Sequence, residues 1–108
     1  MANQFTILLI EDEKNISNFI SKALTRHGYH VISSFCGRDG LSAASSHCPD
    51  VILLDLGLPD LDGMDMIRQI RTWSNCPIIV ISARTLEHEK VDALDSGADD
   101  YITKPFNI

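Results

Sequence analysis

Five short, largely apolar runs alternate with longer mixed segments along the chain. The runs occupy residues 5–10, 31–32, 51–54, 78–81 and 101–103. Strands that are apolar at successive positions are typical of a parallel sheet that is buried on both faces. In the segments between the runs, apolar residues recur three or four positions apart, which indicates helices. The pattern therefore predicts an α/β fold in the order βαβαβαβαβ.

Each of the four predicted helices has an apolar face. These faces are formed by Ile16, Phe19, Ile20, Ala23 and Leu24 in the first, Leu41 and Ala44 in the second, Met64, Ile67 and Ile70 in the third, and Leu86, Val91 and Leu94 in the fourth. Gly28 and Gly97 are expected to end the first and fourth helices, because glycine readily adopts the left-handed conformation that follows a helix. The second helix, predicted over residues 38–47, is expected to end before Cys48-Pro49, since a residue before proline disfavours the α region. Right-handed crossovers through these helices predict a doubly wound sheet.

Two of the predicted strands end in acidic residues. Residues 5–10 are followed by Glu11-Asp12-Glu13, and residues 51–54 by Asp55. In a parallel sheet these acids converge at the carboxyl edge, where open α/β sheets bind ligands. Clustered carboxylates repel one another unless a cation joins them, and an oxygen-only ligand set favours magnesium over zinc. The alternative is that the acids are solvated turn charges, and this is our interpretation for Glu13 alone.

The last two predicted strands end in a hydroxyl and an ammonium group. Ser82 follows residues 78–81, and Lys104 follows residues 101–103. Together with a metal, these groups would suit a phosphoryl group carried on Asp55, because a carboxylate can act as a nucleophile and form an aspartyl phosphate. Phosphoryl transfer depends mostly on positioning and charge neutralisation, which such a site supplies.

These motifs together resemble the receiver (CheY-like) domain of bacterial two-component response regulators. They are the Glu11-Asp12 pair, Asp55 with Leu58-Pro59-Asp60 and Asp62-Gly63, Ser82-Ala83, and Tyr101 with Lys104-Pro105-Phe106. The resemblance extends from about residue 5 to residue 108. Residues 55–60, 71–74 and 97–101 are most similar to the winged-helix (OmpR/PhoB) class, and within it to KdpE-like regulators of potassium-uptake genes.

The resemblance implies both a topology and a metal site. The family has a flavodoxin-like, doubly wound sheet of five parallel strands in the order 2-1-3-4-5. In it, Asp55 is the phosphoacceptor. Asp12, Asp55 and the backbone carbonyl of Gly57 bind Mg²⁺ directly, and Glu11 reaches the metal through water.

The resemblance also assigns a conformational switch. Lys104 and Ser82 bind the phosphoryl group, and Tyr101 turns inward when Ser82 moves. In the family the Lys-Pro bond is cis, so a cis bond is implied between Lys104 and Pro105.

Partners are implied by the resemblance as well. A sensor histidine kinase, KdpD-like if the narrower similarity holds, supplies the phosphoryl group. Phosphorylation in the full-length regulator then favours a homodimer and DNA binding through a C-terminal effector domain that is absent from this chain. The expected dimer face carries Lys90, Asp95, Asp99 and Asp100.

Composition sets limits on this interpretation. The 108 residues, 44% of them hydrophobic, suffice for one core, so we expect a single receiver domain over residues 1–108. The net charge of −6 argues against nucleic-acid binding by this segment. No apolar stretch reaches the roughly 18 residues of a membrane span and no signal peptide begins the chain, so a cytoplasmic location without a membrane partner is expected.

The end of the chain and the cysteines give two further expectations. A receiver continues beyond Lys104-Pro105-Phe106 into a fifth helix, whereas this chain ends at Ile108. We therefore expect the final helix to be truncated and apolar surface to be exposed where it would pack. The three cysteines and four histidines show no metal-ligand spacing, and we expect them to be packing or surface residues.

Two other function classes compete with the signalling interpretation. A magnesium-dependent phosphohydrolase also uses an aspartate nucleophile, but such enzymes commonly place an acid/base Asp two residues later, where this chain has Gly57. We therefore expect a phosphoacceptor with slow self-dephosphorylation and not an enzyme. A phosphorylation-independent interaction domain typically loses the acidic pair or the lysine, and both are present.

Overall fold

The computed structural model describes residues 5–83 and 87–104. Strands and helices alternate along the described chain, as the sequence predicts. The strands are β1 (Thr6–Ile10), β2 (His30–Ser34), β3 (Val51–Asp55), β4 (Ile78–Ser82) and β5 (Asp100–Thr103). The helices are α1 (Lys14–Arg26), α2 (Gly37–His47), α3 (Gly63–Arg71) and α4 (Glu87–Asp95). None of these described helices is both long enough and apolar enough to cross a membrane.

The five strands form one parallel sheet in the order β2-β1-β3-β4-β5. This order confirms the predicted doubly wound, flavodoxin-like topology. β1 and β3 are neighbours although α1, β2 and α2 lie between them in sequence, and Ile10 lies opposite Leu54 in their register. The residues that follow this pair are Glu11 and Asp55, so the topology brings the two acids to adjacent strand ends.

The two faces of the sheet are covered unequally. On one face, α2, α3 and α4 enclose the larger apolar cluster, whose fully buried members include Leu8, Leu54, Ile67, Ile70 and Val80. On the other face, α1 contributes Ile20 to a smaller cluster with Leu9 and Ile81. Ile102, which lies opposite Ile81 in β5, is 38% exposed. Full burial of one such side chain contributes about 1.5–3 kcal/mol, so the larger cluster supplies most of the driving force for folding.

Glycines end two helices as predicted. Gly28 follows α1 with φ of 93° and Gly97 follows α4 with φ of 120°. This left-handed backbone lets the chain reverse direction into the next strand without steric cost. Cys48, at the end of α2, adopts a similar conformation with φ of 45°, although it is not glycine.

Two predicted helix faces differ from the structure. α4 lies where the sequence places it, but Val91 and Leu94 are 49% and 39% exposed, and Ala93 is the residue that is buried against the core. A small side chain at the contact lets α4 approach the sheet closely and turns its larger apolar residues outward. Phe19 of α1 is likewise 56% exposed. Leu86, which was expected on α4, lies outside the described residues.

The Arg71 side chain joins the end of α3 to the loops before β4 and β5. Its guanidinium donates to the backbone carbonyls of Gly97 at 2.9 Å and Cys76 at 2.6 Å, and to the Asp99 carboxylate at 2.9 Å. The same oxygen of Asp99 accepts from the backbone amide of Ile78 at 2.8 Å. One planar side chain with several fixed donors therefore holds three segments together.

Replacement of Arg71 with alanine is expected to lower the free energy of unfolding by about 2 kcal/mol, because buried carbonyls lose a charged donor. Arg68→Ala is the matched control, since among the described residues Arg68 pairs with Asp65 alone, in an exposed contact at 3.6 Å. Such a pair contributes about 0–1 kcal/mol. Urea denaturation of both variants measures the difference, and equal stability would show that the Arg71 contacts contribute no more than a surface pair.

Candidate functional site

A cavity of about 250 Å³ lies at the carboxyl edge of the sheet, among the ends of β1, β3, β4 and β5. Its lining consists of Glu11, Asp12, Glu13, Asp55, Gly57, Ser82, Ala83 and Lys104. All the residues that the sequence analysis assigned to metal or phosphoryl binding are therefore brought together in one place. Each comes from the end of a strand or the turn that follows it.

Three carboxylates of this cavity can share a cation. Glu11, Asp12 and Asp55 each offer an oxygen that lies within 4.8 Å of the other two. Glu11 is completely buried and Asp55 is 5% exposed, whereas Asp12 is exposed. A hard divalent cation takes oxygen ligands, and magnesium retains several waters, for which the open side at Asp12 leaves room. The donor set therefore fits Mg²⁺.

Asp55 is held at the end of β3 by two neighbours. The backbone amide of Gly57 donates to Oδ1 at 3.1 Å, which turns the chain sharply after the strand. The ammonium of Lys104 lies 3.6 Å from Oδ2. The carboxylate therefore has a fixed orientation at the floor of an open cavity.

Lys104 is positioned by the pairing of β4 and β5. Its backbone amide donates to the carbonyl of Ser82 at 2.7 Å, which extends the ladder beyond the last paired residues. Its Nζ then reaches Glu11 Oε1 at 2.6 Å, and the Lys104 side chain is only 15% exposed. A charge-assisted hydrogen bond of this length is among the stronger contacts in proteins.

The two partners of this ion pair respond differently to burial. Burial is the largest influence on Glu11, and it raises the pKa of that carboxyl to about 7 although the hydrogen bond from Lys104 acts in the opposite direction. Burial alone would lower the pKa of Lys104, but its hydrogen bond to Glu11 and the charge of Asp55 outweigh this effect and raise that pKa. A close ammonium by itself would lower the Glu11 pKa, and complete burial beside Asp55 reverses that direction. Lys104 is therefore charged at neutral pH. Of the two partners, Glu11 is the one that loses its charge more readily than a solvent-exposed side chain of its type, because its pKa is raised.

The two predicted switch residues lie at different depths. Ser82, the last residue of β4, lines the cavity and is 2% exposed. Tyr101 of β5 lies opposite Val80 and belongs to the larger apolar cluster, with 8% of its surface exposed. The tyrosine is thus placed beneath the α4 side of the sheet. The bond between Lys104 and Pro105 lies outside the described residues.

Asp60 has a role that the sequence analysis missed. Its carboxylate accepts hydrogen bonds from the backbone amides of Gly37 at 2.7 Å and Arg38 at 3.0 Å, at the start of α2. The residue that precedes this helix, Cys36, makes no side-chain capping bond. The hydrogen bonds from Arg38 and Gly37 lower the pKa of Asp60. Asp60 thus caps a helix that is more than 20 residues distant in sequence, and it fastens the loop after the candidate phosphoacceptor to α2.

Asp60→Asn is expected to lower the melting temperature because two backbone amides lose their charged acceptor. Since the folded-state pKa of Asp60 lies below its ordinary value of 3.8, the charged cap stabilises the fold above that pH and loses its effect as the pH falls through the folded value. The difference in melting temperature between wild type and Asp60→Asn should therefore shrink in acid. Asp39→Asn removes the same charge from the first turn of α2 and is the matched control. A difference that does not depend on pH would contradict the charged cap.

The residues expected at a dimer face are exposed on α4 and around the start of β5. They are Lys90, Asp95, Asp99 and Asp100. The Asp99 carboxylate already accepts a hydrogen bond from Arg71. Val91 and Leu94 of α4 add exposed apolar surface near these charges.

With this fold and this cavity, the chain belongs to the response regulator receiver domain family, whose sequence profile matches residues 7–108. It is thus a receiver domain of the two-component type. The chain is 50% identical over 102 residues to the transcriptional regulatory protein KdpE of Mycobacterium tuberculosis strain H37Rv, with 94% of this chain and 45% of that protein covered. It is 47% identical over 102 residues to the response regulator ArlR of Staphylococcus aureus strain Mu50, with 94% and 47% covered.

Solved structures give the same result. A two-component response regulator from Clostridium difficile superposes with a TM-score of 0.94 at 29% identity, covering 96% of this chain and 86% of that one. The chain spans about half the length of the curated relatives it matches. The similarity to these relatives therefore describes the receiver part of such proteins.

Proposed function

We propose that the domain accepts a phosphoryl group on Asp55 from a phosphorylated histidine of a sensor kinase and uses Mg²⁺ as its cofactor. The observation that supports this most directly is the placement of Asp55 Oδ2 3.6 Å from the Lys104 ammonium, in a cavity where Asp55 can share a cation with Glu11 and Asp12. A nucleophilic carboxylate, a cation-binding acid set and a fixed ammonium are the parts that phosphoryl transfer to aspartate requires.

Each residue of the cavity has a separate role in phosphoryl transfer. An oxygen of Asp55 attacks phosphorus while the bond between phosphorus and the donor imidazole breaks. Lys104 lies near enough to Asp55 to neutralise charge on the transferred group, and Ser82 contributes a hydroxyl at the same strand edge. Asp12, Asp55 and the Gly57 carbonyl would hold Mg²⁺ directly and Glu11 would do so through water, and the ion would supply divalent charge to offset that of the phosphoryl oxygens.

We further infer that the phosphorylated state is lost slowly by hydrolysis and that the domain does not turn over an external substrate. The position two residues after Asp55, where aspartate-based phosphohydrolases place an acid/base group, is Gly57, which has no side chain. Hydrolysis then relies on unassisted attack by water. The phosphoryl group on Asp55 acts as a signal and not as a catalytic intermediate.

The signal would pass from Ser82 to Tyr101. Both residues are nearly buried, and they lie on neighbouring strands whose register pairs Ser82 with Thr103. A shift of Ser82 toward the phosphoryl group would change the space available to Tyr101 beneath α4. Phosphorylation can shift the equilibrium between the two conformations only by the difference in the free energy with which it stabilises each of them. The two conformations must therefore differ in free energy by only a few kcal/mol.

In a full-length regulator the output would be dimerisation and DNA binding through another domain. Lys90, Asp95 and Asp100 are exposed, and so are the apolar residues Val91 and Leu94 of α4. An interface with an apolar centre and a charged rim has this composition. The net charge of −6 disfavours direct contact of this domain with DNA. Similarity to KdpE supports a KdpD-like kinase as the partner and potassium-transport genes as the target. This assignment is a proposal, because the sequence identity to ArlR is nearly equal.

The test is phosphorylation of the purified protein by a small acyl phosphate, followed by intact mass and peptide mapping. A single phosphoryl adduct that forms only with Mg²⁺ and maps to the peptide containing residue 55 is the expected result. Calcium, which prefers more ligands and looser geometry, is the matched ion control. Adduct formation that is equally fast after removal of divalent cations would overturn the proposed role of the acid cluster.

A further inference from the structure

A second cavity, of about 180 Å³, lies at the opposite edge of the sheet and contains two thiol residues in its lining. Cys48, at the end of α2, and Cys76, before β4, both line it. Trp73, the only tryptophan in the sequence, lines it as well. Two cysteines that are 28 positions apart therefore line the same small cavity, whose wall includes an aromatic reporter.

The backbone contacts of this region bring the two segments side by side. The amide of Ile52 donates to the carbonyl of Pro77 at 2.9 Å, so the chain entering β3 runs next to the chain entering β4. The Cys76 thiol contacts the carbonyl of Pro49 at 3.2 Å, and Pro49 directly follows Cys48. The Cys76 sulfur therefore already faces the segment that carries Cys48.

The two cysteines differ in backbone conformation and in access to solvent. Cys76 is half-buried, and its carbonyl is fixed by Arg71 at 2.6 Å. Burial raises the pKa of the Cys76 thiol, which keeps it protonated and less reactive. Cys48 is exposed and occupies a left-handed backbone conformation that is unfavourable for a residue with a Cβ atom. Relief of this strain would favour movement of Cys48 while Cys76 stays in place.

We propose that Cys48 and Cys76 form a reversible redox pair that closes to a disulfide in the presence of a low-molecular-weight disulfide such as oxidised glutathione. The exposed Cys48 loses its proton and attacks one sulfur of glutathione disulfide, which releases one glutathione thiolate that takes up a proton. Cys76 then loses its proton and attacks the Cys48 sulfur of the mixed disulfide, which releases the second glutathione. Two protein thiols are oxidised and one small disulfide is reduced to two thiols.

The position of the pair predicts what closure does. The bond would tie the end of α2 to the connection between α3 and β4 and would fill part of the cavity beside Trp73. The phosphorylation cavity lies at the other edge of the sheet, with a different lining. Closure should therefore raise the melting temperature, since it restrains the unfolded chain, and should leave Asp55 accessible.

The test is incubation of the purified protein with oxidised glutathione, followed by alkylation of the remaining thiols and peptide mapping. We expect a peptide pair linked through Cys48 and Cys76, one alkylated thiol at Cys36, quenching of Trp73 fluorescence, and reversal of both changes by a reducing agent. Cys36 lies before α2, an 11-residue helix, so about 16 Å of helix separates it from Cys48. A bond that includes Cys36, or a disulfide-linked dimer, would contradict the proposal.

Single variants distinguish the order of the two steps. In Cys76→Ser, attack by Cys48 should stop at a stable mixed disulfide with glutathione, whereas Cys48→Ser should remain largely unmodified. Cys36→Ser is the matched control and should form the bond as the wild type does. If the wild type itself accumulates the mixed disulfide, or if all three thiols remain free, the two cysteines do not act as a pair. Cys76→Ala replaces Cys76→Ser if the serine variant does not fold.

Discussion

The Asp55→Asn protein is expected to take up no phosphoryl group, while its fold remains that of the wild type. An amide has the same shape as a carboxylate but is not a nucleophile, so the covalent step has no acceptor. Oδ1 of the asparagine can still accept the hydrogen bond that the Gly57 amide donates at 3.1 Å, so the turn after β3 keeps its geometry. The measurement is intact mass after treatment with an acyl phosphate and Mg²⁺.

The matched control for this variant is Asp65→Asn. Asp65 is exposed on α3, and its ion pair within the described part of the chain is the 3.6 Å contact with Arg68. This control should be phosphorylated to the wild-type extent with an unchanged melting temperature. An adduct of equal yield on the Asp55→Asn protein would place the acceptor on another side chain.

Loss of the Lys104 ammonium is expected to have the largest effect on stability among the site variants. Lys104→Met retains most of the apolar stem but removes the partner of Glu11, a carboxyl that is completely buried. At a pH above the folded Glu11 pKa of about 7, removal of one partner from this buried ion pair is expected to cost up to about 3–5 kcal/mol, because the remaining charge is uncompensated. Urea denaturation without divalent cations measures the loss, and the rate of adduct formation should fall as well, because charge neutralisation at Asp55 is weakened.

The effect of Lys104→Met should depend on pH in a defined direction. Burial raises the Glu11 pKa from 4.5 to about 7 in the folded wild type, so this group stabilises the fold most below its unfolded pKa and loses that contribution as the pH rises through the folded value. Without the ammonium the folded pKa rises further, so the deficit of the variant should be larger at pH 8 than at pH 6. Lys22→Met, an exposed change on α1, is the control. An identical deficit at both pH values would show that Glu11 is not the group left uncompensated.

The sequence predicted that these residues lie together because each of them follows an apolar strand. Parallel strands end at one edge, so Asp55 and Glu11 could be placed together without knowledge of any contact between them. The same reasoning placed Ser82 and Lys104 at this edge, and in the structure all four residues line one cavity.

Contacts between distant loops could not be predicted in this way. The Asp60 carboxylate reaches the start of α2 across 23 residues, and Arg71 reaches Asp99 across 28. Neither residue belongs to a periodic pattern, so nothing local indicates its partner. The orientation of α4 was misjudged for a related reason, since the small side chain of Ala93 and not the larger Val91 or Leu94 makes the buried contact.

The ladder between β4 and β5 constrains which changes of length the domain can tolerate. In β5, the side chain of Tyr101 points into the core, and the backbone amide of Lys104 completes the ladder at the Ser82 carbonyl, 2.7 Å away. One residue inserted before Tyr101 would turn the tyrosine to the opposite face and shift Lys104 by about 3.3 Å along the strand. Substitutions in this segment can therefore accumulate one at a time, whereas a single insertion or deletion would remove a core residue and a site residue together.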